Sequence, residues 1–532
     1  MKLYGTLFII GLALSQSLAA QNTLFHDPDC CTSIMVGKEA SSDGSVITSH
    51  TCDSWYRSWV NVVPAKTYKN DTVTAIYNGR MHTEFPEDQT NLTVKGKIPQ
   101  VRNTYAFLDT SYPCMNEKQL AMGETTISGR DTLQNKQGMF MIEELARIAL
   151  ERCSTARQAI QLMGELVKTY GYGDSGECLT IADPKEVWHF EIFGEGPDKI
   201  GGVWAAVRIP DGEVGVSANI PRISTLNLKD KENYMASENV FEVAKKLKLW
   251  DGKKPFKFWR AYGGPNYAGK WQAFSVREFF ILSTLAPSLN LDENAEELPF
   301  SVKPEKKLNA TDVMALLRQT YEGTQWDVTR NLKVVKKDRK TGQTDTIISP
   351  KANPWMRPDE VQMLNGIKEG AVKSYRNIAV PQCAYSTVIQ LRSWLPDAVG
   401  GICWFSMDNP GQSPRVPIFA GTTDLPAMYK ICGNHRYRED AALWHYRRAN
   451  KLATVRWGNA RGIMEKNILH FEDKAFSELP MVESRYQELL KTKGEERAKA
   501  FLTDYTKDFI GATILRWDEM AAKYWNDYRF GF

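Results

Sequence analysis

Metal-ligand spacing is missing from this chain. Its nine cysteines (30, 31, 52, 114, 153, 178, 383, 403 and 432) form no Cys-x-x-Cys pair, and no His-Glu-x-x-His segment occurs. The seven histidines are scattered, which argues against a metallopeptidase. Charge of one sign is not in excess either: 67 basic and 63 acidic residues leave a net +4. Without a clustered Lys/Arg stripe there is no electrostatic footprint for a phosphate backbone, so nucleic acid is excluded as a partner. Low-complexity tracts and internal repeats are absent, and no run beyond the first twenty residues is apolar for long enough to span a membrane. What is present is ample core material. At 532 residues, 42% hydrophobic and 11% aromatic, the chain can bury a substantial interior.

The beginning reads as an export signal. One positive charge at Lys2 precedes an apolar run from Leu7 to about Leu14, then the small-residue context Ser15-Gln-Ser-Leu-Ala-Ala20. Residues 1–20 are therefore expected to be a signal peptide, placing the protein in the periplasm or outside the cell. Export permits disulfides, but the wide cysteine spacing reveals no pairing.

From Cys31 the pattern is strand-like: Thr32–Val36, a turn at Ala40–Gly44, then Ser45–Thr51, which predicts a hairpin. Residues 139–152 carry apolar positions at helical spacing. After a cap expected at Ser154, a second helix runs to Gly171, giving a helix pair. Strands are predicted again at Cys178–Ala182, Glu186–Phe193, Val203–Ile209 and Glu213–Ile220. Residues 222–380 are mixed and read as a large insertion, helical near Ser237–Leu249 and Ala310–Thr320. Strand signals resume at Cys383–Leu391, Gly401–Asp408 and Val416–Ala420, and from about Asp440 the chain is almost wholly helical. Sheet, helix pair and sheet in succession predict layered α+β packing.

A cysteine that leads a chain carries its own base, an α-amine titrating at about 7.7–8.0. Cys31 opens the first predicted strand ten residues beyond the expected signal cut, so Gln21–Cys30 fits a short propeptide. From the residues alone, Cys30 and Cys31 read equally well as ordinary thiols.

The segment Cys31-Thr-Ser-Ile-Met-Val-Gly-Lys-Glu-Ala-Ser-Ser-Asp-Gly-Ser45 resembles the opening of the dipeptidase A family of N-terminal nucleophile cysteine hydrolases. The likeness continues in order through Ala121-Met-Gly-Glu-Thr-Thr126, Ile181–Trp188, Ser237–Ala244, Leu298–Pro304, Asp312–Arg318 and Trp394–Gly401. The resemblance implies an αββα sandwich, autocatalytic removal of the residues before Cys31, and cleavage of dipeptides without a cofactor or metal. It also implies roles, residue by residue. Cys31 attacks first the carbonyl of Cys30 and then the substrate amide, forming a thioester that water hydrolyses. Asp53 holds the α-amine through a charge-assisted hydrogen bond; an exposed turn carboxylate is the other reading.

Where relatives carry Arg-Asn-x-Asp, this chain has His50-Thr-Cys-Asp53. His50 can replace a hydrogen bond but not a permanent charge, and a structural histidine is an equal reading. Asn219 matches an oxyanion-stabilising amide, and Thr125 a second oxyanion donor. Arg392 matches a site-facing arginine able to lower a thiol pKa or bind a carboxylate, or it is an ordinary ion pair.

Other classes compete. Gly173-Asp-Ser-Gly176 and Thr48-Ser-His-Thr-Cys52 imitate chymotrypsin-like serine protease segments, but a helical pair lies between them, against a two-barrel fold, so Ser175 is read as a turn residue. An acyl-amide hydrolase of the same fold, of the bile-salt or penicillin amidase kind, is an alternative, as is a non-catalytic exported binding protein. The expected organisation is a signal at 1–20, a propeptide at 21–30, a peptidase domain at 31–430 with its insertion around 222–380, and a helical extension at 431–532. A small peptide is the expected partner, with no stable membrane insertion and homo-oligomerisation left open.

Overall fold

The computed structural model describes residues 31–127, 129–265 and 269–531. The expected signal, propeptide and Cys30 lie outside the described residues. Within them, two antiparallel sheets organise the α+β architecture. The first runs, edge to edge, Ser301–Val302, Val214–Ser217, Ser33–Val36, Val46–Cys52, Tyr385–Leu391, Ile402–Met407 and Val416–Phe419. The second runs Tyr234–Ala236, Gly202–Ile209, Val187–Gly194, Glu177–Ala182, Ala121–Thr126, Met115–Asn116, Phe107–Asp109 and Asn61–Val63.

The hairpin predicted at the start forms, with Val36 opposite Ile47. Its second strand lies against Ala121–Thr126 and Glu177–Ala182, so the two sheets stack face to face. They meet closely at Gly123. A Cβ built there would lie 2.2 Å from the Ser49 carbonyl oxygen and 2.6 Å from Thr180 Oγ1, so only glycine lets the layers approach at this point.

Helices Ile142–Arg152 and Ala156–Tyr170 pack together, and the second lies on the outer face of the eight-stranded sheet. The cap of the second is Thr155, whose side chain accepts from Gln158 N–H; Ser154 lies one residue outside it. On the other side, Val276–Leu285, Ala310–Leu317 and the C-terminal helices Ala442–Thr454, Trp457–Lys493 and Glu495–Asp527 cover the seven-stranded sheet. Helices thus flank both sheets.

Because both faces of the central strands are covered, all eight residues of Val187–Gly194 are buried, polar ones included. The alternation of His189 and Glu191 with Trp188, Phe190 and Ile192 does not mark a wet face. His189 and Glu191 bond each other at 2.8 Å beneath Phe300, and Glu191 also accepts from the backbone N–H groups of Arg222 and Ile223. The mixed segment 222–380 supplies an edge strand to each sheet as well as the helix Val276–Leu285. All eight cysteines among the described residues are free and buried. No helix there is long and apolar enough to cross a membrane.

Candidate active site

Cys31 lies just before the central hairpin of the first sheet, and its neighbours fix it from both sides. Its backbone N–H donates to Asn219 Oδ1 at 2.8 Å, and its carbonyl accepts from Arg277 Nη1 at 2.6 Å. Arg277 is fully buried and ties the arrangement together, donating also to Thr32 Oγ1 (3.1 Å), the Ala218 carbonyl (3.1 Å) and Asn219 Oδ1 (2.9 Å). It is held at the start of its helix by a capping box between Ser275 and Glu278, and Glu278 in turn accepts from Ala218 N–H. Asn219 follows strand Val214–Ser217 with φ of 64°, a left-handed conformation that asparagine tolerates better than most residues.

The second hairpin strand brings His50, Thr51 and Asp53 alongside. Thr32 N–H donates to Thr51 Oγ1, which donates to Asp53 Oδ2 at 2.7 Å, and Arg376 Nη2 reaches the same oxygen at 2.9 Å. Asp53 Oδ1 is buried without a hydrogen-bond partner. Across the gap between sheets, Glu124 Oε2 stands 3.4 Å from His50 Nε2. The Cys31 thiol, the His50 imidazole and the Glu124 carboxylate lie within 4.8 Å of one another, all buried. Neither His50 nitrogen has a hydrogen-bond partner, and the ring is held edge-on between Tyr112 and Tyr385 at centroid distances of 5.4 and 5.7 Å.

Burial pushes the Cys31 thiol well above its ordinary value. The charges of Glu124, Cys52 and Asp53 push the same way, against a hydrogen bond from the Asp53 backbone. In the described chain, therefore, the thiol is protonated and needs a base before it can attack. Beside Glu124, burial and the Glu124 charge raise the Glu177 carboxyl far above the carboxylate range, so Glu177 stays neutral there.

The remaining residues expected at the site are placed as follows. The Asn219 side chain gives its oxygen to Cys31 N–H and its Nδ2 to the Thr126 carbonyl at 2.7 Å. Thr125 Oγ1 shares a 2.6 Å hydrogen bond with Ser217 Oγ. Arg392 is not brought to Cys31. Strand Tyr385–Leu391 runs antiparallel to Val46–Cys52, with Tyr385 opposite Cys52 and Leu391 opposite Val46, which puts Arg392 at the far end. There it binds the carbonyls of Gly400 and Val399 and pairs with Glu483. Ser175 sits in a turn, its N–H on Asp174 Oδ1. Sequence reasoning missed Arg277, Arg376 and Glu124. Glu124 stood inside a quoted block, whereas the two arginines lie in the mixed segment, where no local pattern announces them.

A second grouping of the same residue types lies elsewhere: Glu84, Cys432 and His435, also within 4.8 Å of one another but partly exposed. His435 Nδ1 is 2.9 Å from Glu84 Oε1, while Arg436 and Arg438 stand 3.5 and 3.9 Å from Glu84 Oε2.

A buried thiol clamped at the beginning of a sheet strand, facing a histidine and a carboxylate, is the equipment of a cysteine hydrolase. Comparison with known proteins agrees: the profile of peptidase family C69 matches residues 30–469, and the chain belongs to that family, one of cysteine peptidases. It is similar to a protein named "Probable dipeptidase" from Latilactobacillus sakei, 26% identical over 75% of this chain and 76% of the relative. It is also similar to two proteins named "Probable dipeptidase B". The one from Streptococcus pyogenes serotype M1 is 24% identical over 80% of this chain and 78% of the relative, and that from Lactococcus lactis subsp. lactis is 23% identical over 75% and 76%.

Proposed function

We propose that this chain is an exported dipeptidase of the N-terminal nucleophile type, matured by its own Cys31. The observation that carries the reading is the double clamp on Cys31: a residue whose N–H and C=O are both held by buried side chains from distant segments is one whose position matters. Family membership and the names of the relatives support the substrate class. The helix–sheet–sheet–helix layering supports an αββα sandwich of the N-terminal nucleophile kind.

In this reading the leader Gln21–Cys30 is cut away and the Cys31 nitrogen becomes an amine. That amine takes the thiol proton, Sγ attacks the carbonyl carbon of the dipeptide, and the C–N bond breaks. The proton passes to the departing amine, and water then hydrolyses the thioester. The Asp53 carboxylate, with one oxygen unpartnered, is available to hold an ammonium. Export puts the reaction in the periplasm or outside the cell.

The test is the N-terminal mass of the purified protein beside its Cys31→Ala variant, with dipeptide hydrolysis assayed on both. The expected wild type begins at Cys31 and hydrolyses dipeptides, whereas the variant keeps Gln21–Cys30 and loses activity on the order of 10⁶-fold, to background. A wild-type chain that begins at Gln21 and still cleaves dipeptides would overturn the N-terminal nucleophile reading.

A further inference from the structure

The three reactive groups at the centre of the site have a second chemistry open to them. We infer that Cys31 Sγ, His50 Nε2 and Glu124 Oε2 form a zinc site, in which a Zn²⁺ ion caps the nucleophile and reversibly silences the enzyme. Binding of the ion does not depend on the dipeptidase reading; the inhibitory consequence does.

The geometry carries the argument. Thiolate, imidazole and carboxylate are the ligand types zinc takes, and three protein ligands with a fourth position open is the arrangement of exchangeable rather than purely structural sites. With Zn–N and Zn–O lengths of about 2.1 Å, two ligands of a tetrahedral ion stand about 3.4 Å apart. His50 Nε2 and Glu124 Oε2 are 3.4 Å apart. With Zn–S at about 2.3 Å, the sulfur belongs about 3.6 Å from each. Cys31 Sγ already lies within 4.8 Å of both, so it stands no more than about 1.2 Å beyond that separation.

The state of these atoms gives an independent reason. Both His50 nitrogens are fully buried without a hydrogen-bond partner, and Nε2 faces Glu124 Oε2. A buried imidazole left unsatisfied is costly, and an ion bound to its nitrogen recovers that cost. The supporting contacts also fit. Glu124 Oε1 accepts from Thr126 Oγ1 at 3.1 Å, and Oε2 is the oxygen that faces His50. The edges of Tyr112 and Tyr385 hold the imidazole plane. On binding, the S–H proton leaves to solvent and an S–Zn bond replaces it, so the thiol cannot attack a carbonyl while the ion is present. The grouping of Glu84, Cys432 and His435 is a poorer host, because Arg436 and Arg438 set two positive charges beside its carboxylate.

The test uses full-length protein freed of metal with a chelator. Calorimetric titration with Zn²⁺ is expected to show one ion per chain with peptidase activity lost in step, restored by chelator. His50→Gln and Glu124→Gln should each weaken binding about tenfold or more, while His435→Gln leaves it unchanged. Should Glu124→Gln not fold, Co²⁺ added to the unaltered protein decides: a thiolate-to-cobalt charge-transfer band in the near ultraviolet is expected, and Cys31→Ser or alkylation of Cys31 erases it. No binding, full-affinity binding in His50→Gln, or a cobalt band that survives Cys31→Ser would overturn the inference. A chain that binds zinc through Cys31 yet hydrolyses no dipeptide would overturn the dipeptidase reading and leave the zinc site standing. An active dipeptidase that binds no zinc would do the reverse.

Discussion

Two groupings of cysteine, histidine and glutamate among the described residues, at Cys31 and at Cys432, behave in opposite ways. At Cys31, burial raises the thiol, and the carboxylates of Glu124 and Asp53 raise it further. At Cys432 burial also pushes upward, but His435 and the backbone of Ser58 outweigh it, and the thiol falls below its ordinary value. His435 moves correspondingly to about 9, first through its hydrogen bond with Cys432 and against burial, with Glu84 adding to the rise. The difference lies in which partner faces the sulfur. A carboxylate without a bonded imidazole holds a thiol up, whereas an imidazole steadied by a carboxylate draws it down. A lowered thiol is thus not what marks the candidate nucleophile here. The marks are the clamp on its backbone and its place between the sheets.

The sharpest way to break this comparison is to remove the histidine from each grouping. His50→Gln removes the ring that stands beside the Cys31 thiol and should lower kcat/KM for dipeptides by about 10²-fold, the scale on which misplacing a reacting group acts. His435→Gln should leave it within about twofold. Equal losses in a dipeptide assay would mean that the two groupings are not functionally distinct.

A smaller effect is expected from closing the gap between layers. Gly123→Ala drives a methyl into the Ser49 carbonyl and should destabilise the fold by about 1–3 kcal/mol in denaturant unfolding, since neither sheet backbone can yield cheaply. Unchanged stability would mean that the sheets do not meet as tightly as their stacking implies.

The smallest effect concerns pH. Because His435 titrates at about 9 in the fold and near 6.5 unfolded, its stabilisation is complete below about pH 6.5 and is lost as pH rises through 9. Solvent screening of this partly exposed ring holds the loss to on the order of 1–2 kcal/mol in wild type, and His435→Gln should flatten it over that window. A variant as steep as the wild type would remove His435 from the account.

Much of the scaffold was legible because its signals are local. The hairpin turn at Ala40–Gly44, the helix pair ending at Gly171 and the run of strands from 177 to 217 each announce themselves within a dozen residues. The site was legible only where it coincides with such elements, at Cys31, His50 and Asp53. Arg277 could not be read, since it meets Cys31 across 246 positions of sequence from a helix in a segment that looked like an insertion. Arg392 stood next to a correctly expected strand, but strand register decides which end reaches the site. That register is set by pairing with Val46–Cys52, which no spacing within residues 385–392 encodes.

The clamp has a bearing on timing. Arg277 holds the carbonyl of Cys31, so the contact that fixes the reactive residue cannot exist until 246 further residues have been synthesised and a helix among them has docked. A chain emerging from the ribosome or a translocation pore carries the thiol from its earliest moments but not its anchor. A truncated or half-folded copy therefore has the thiol without the contact that fixes its backbone.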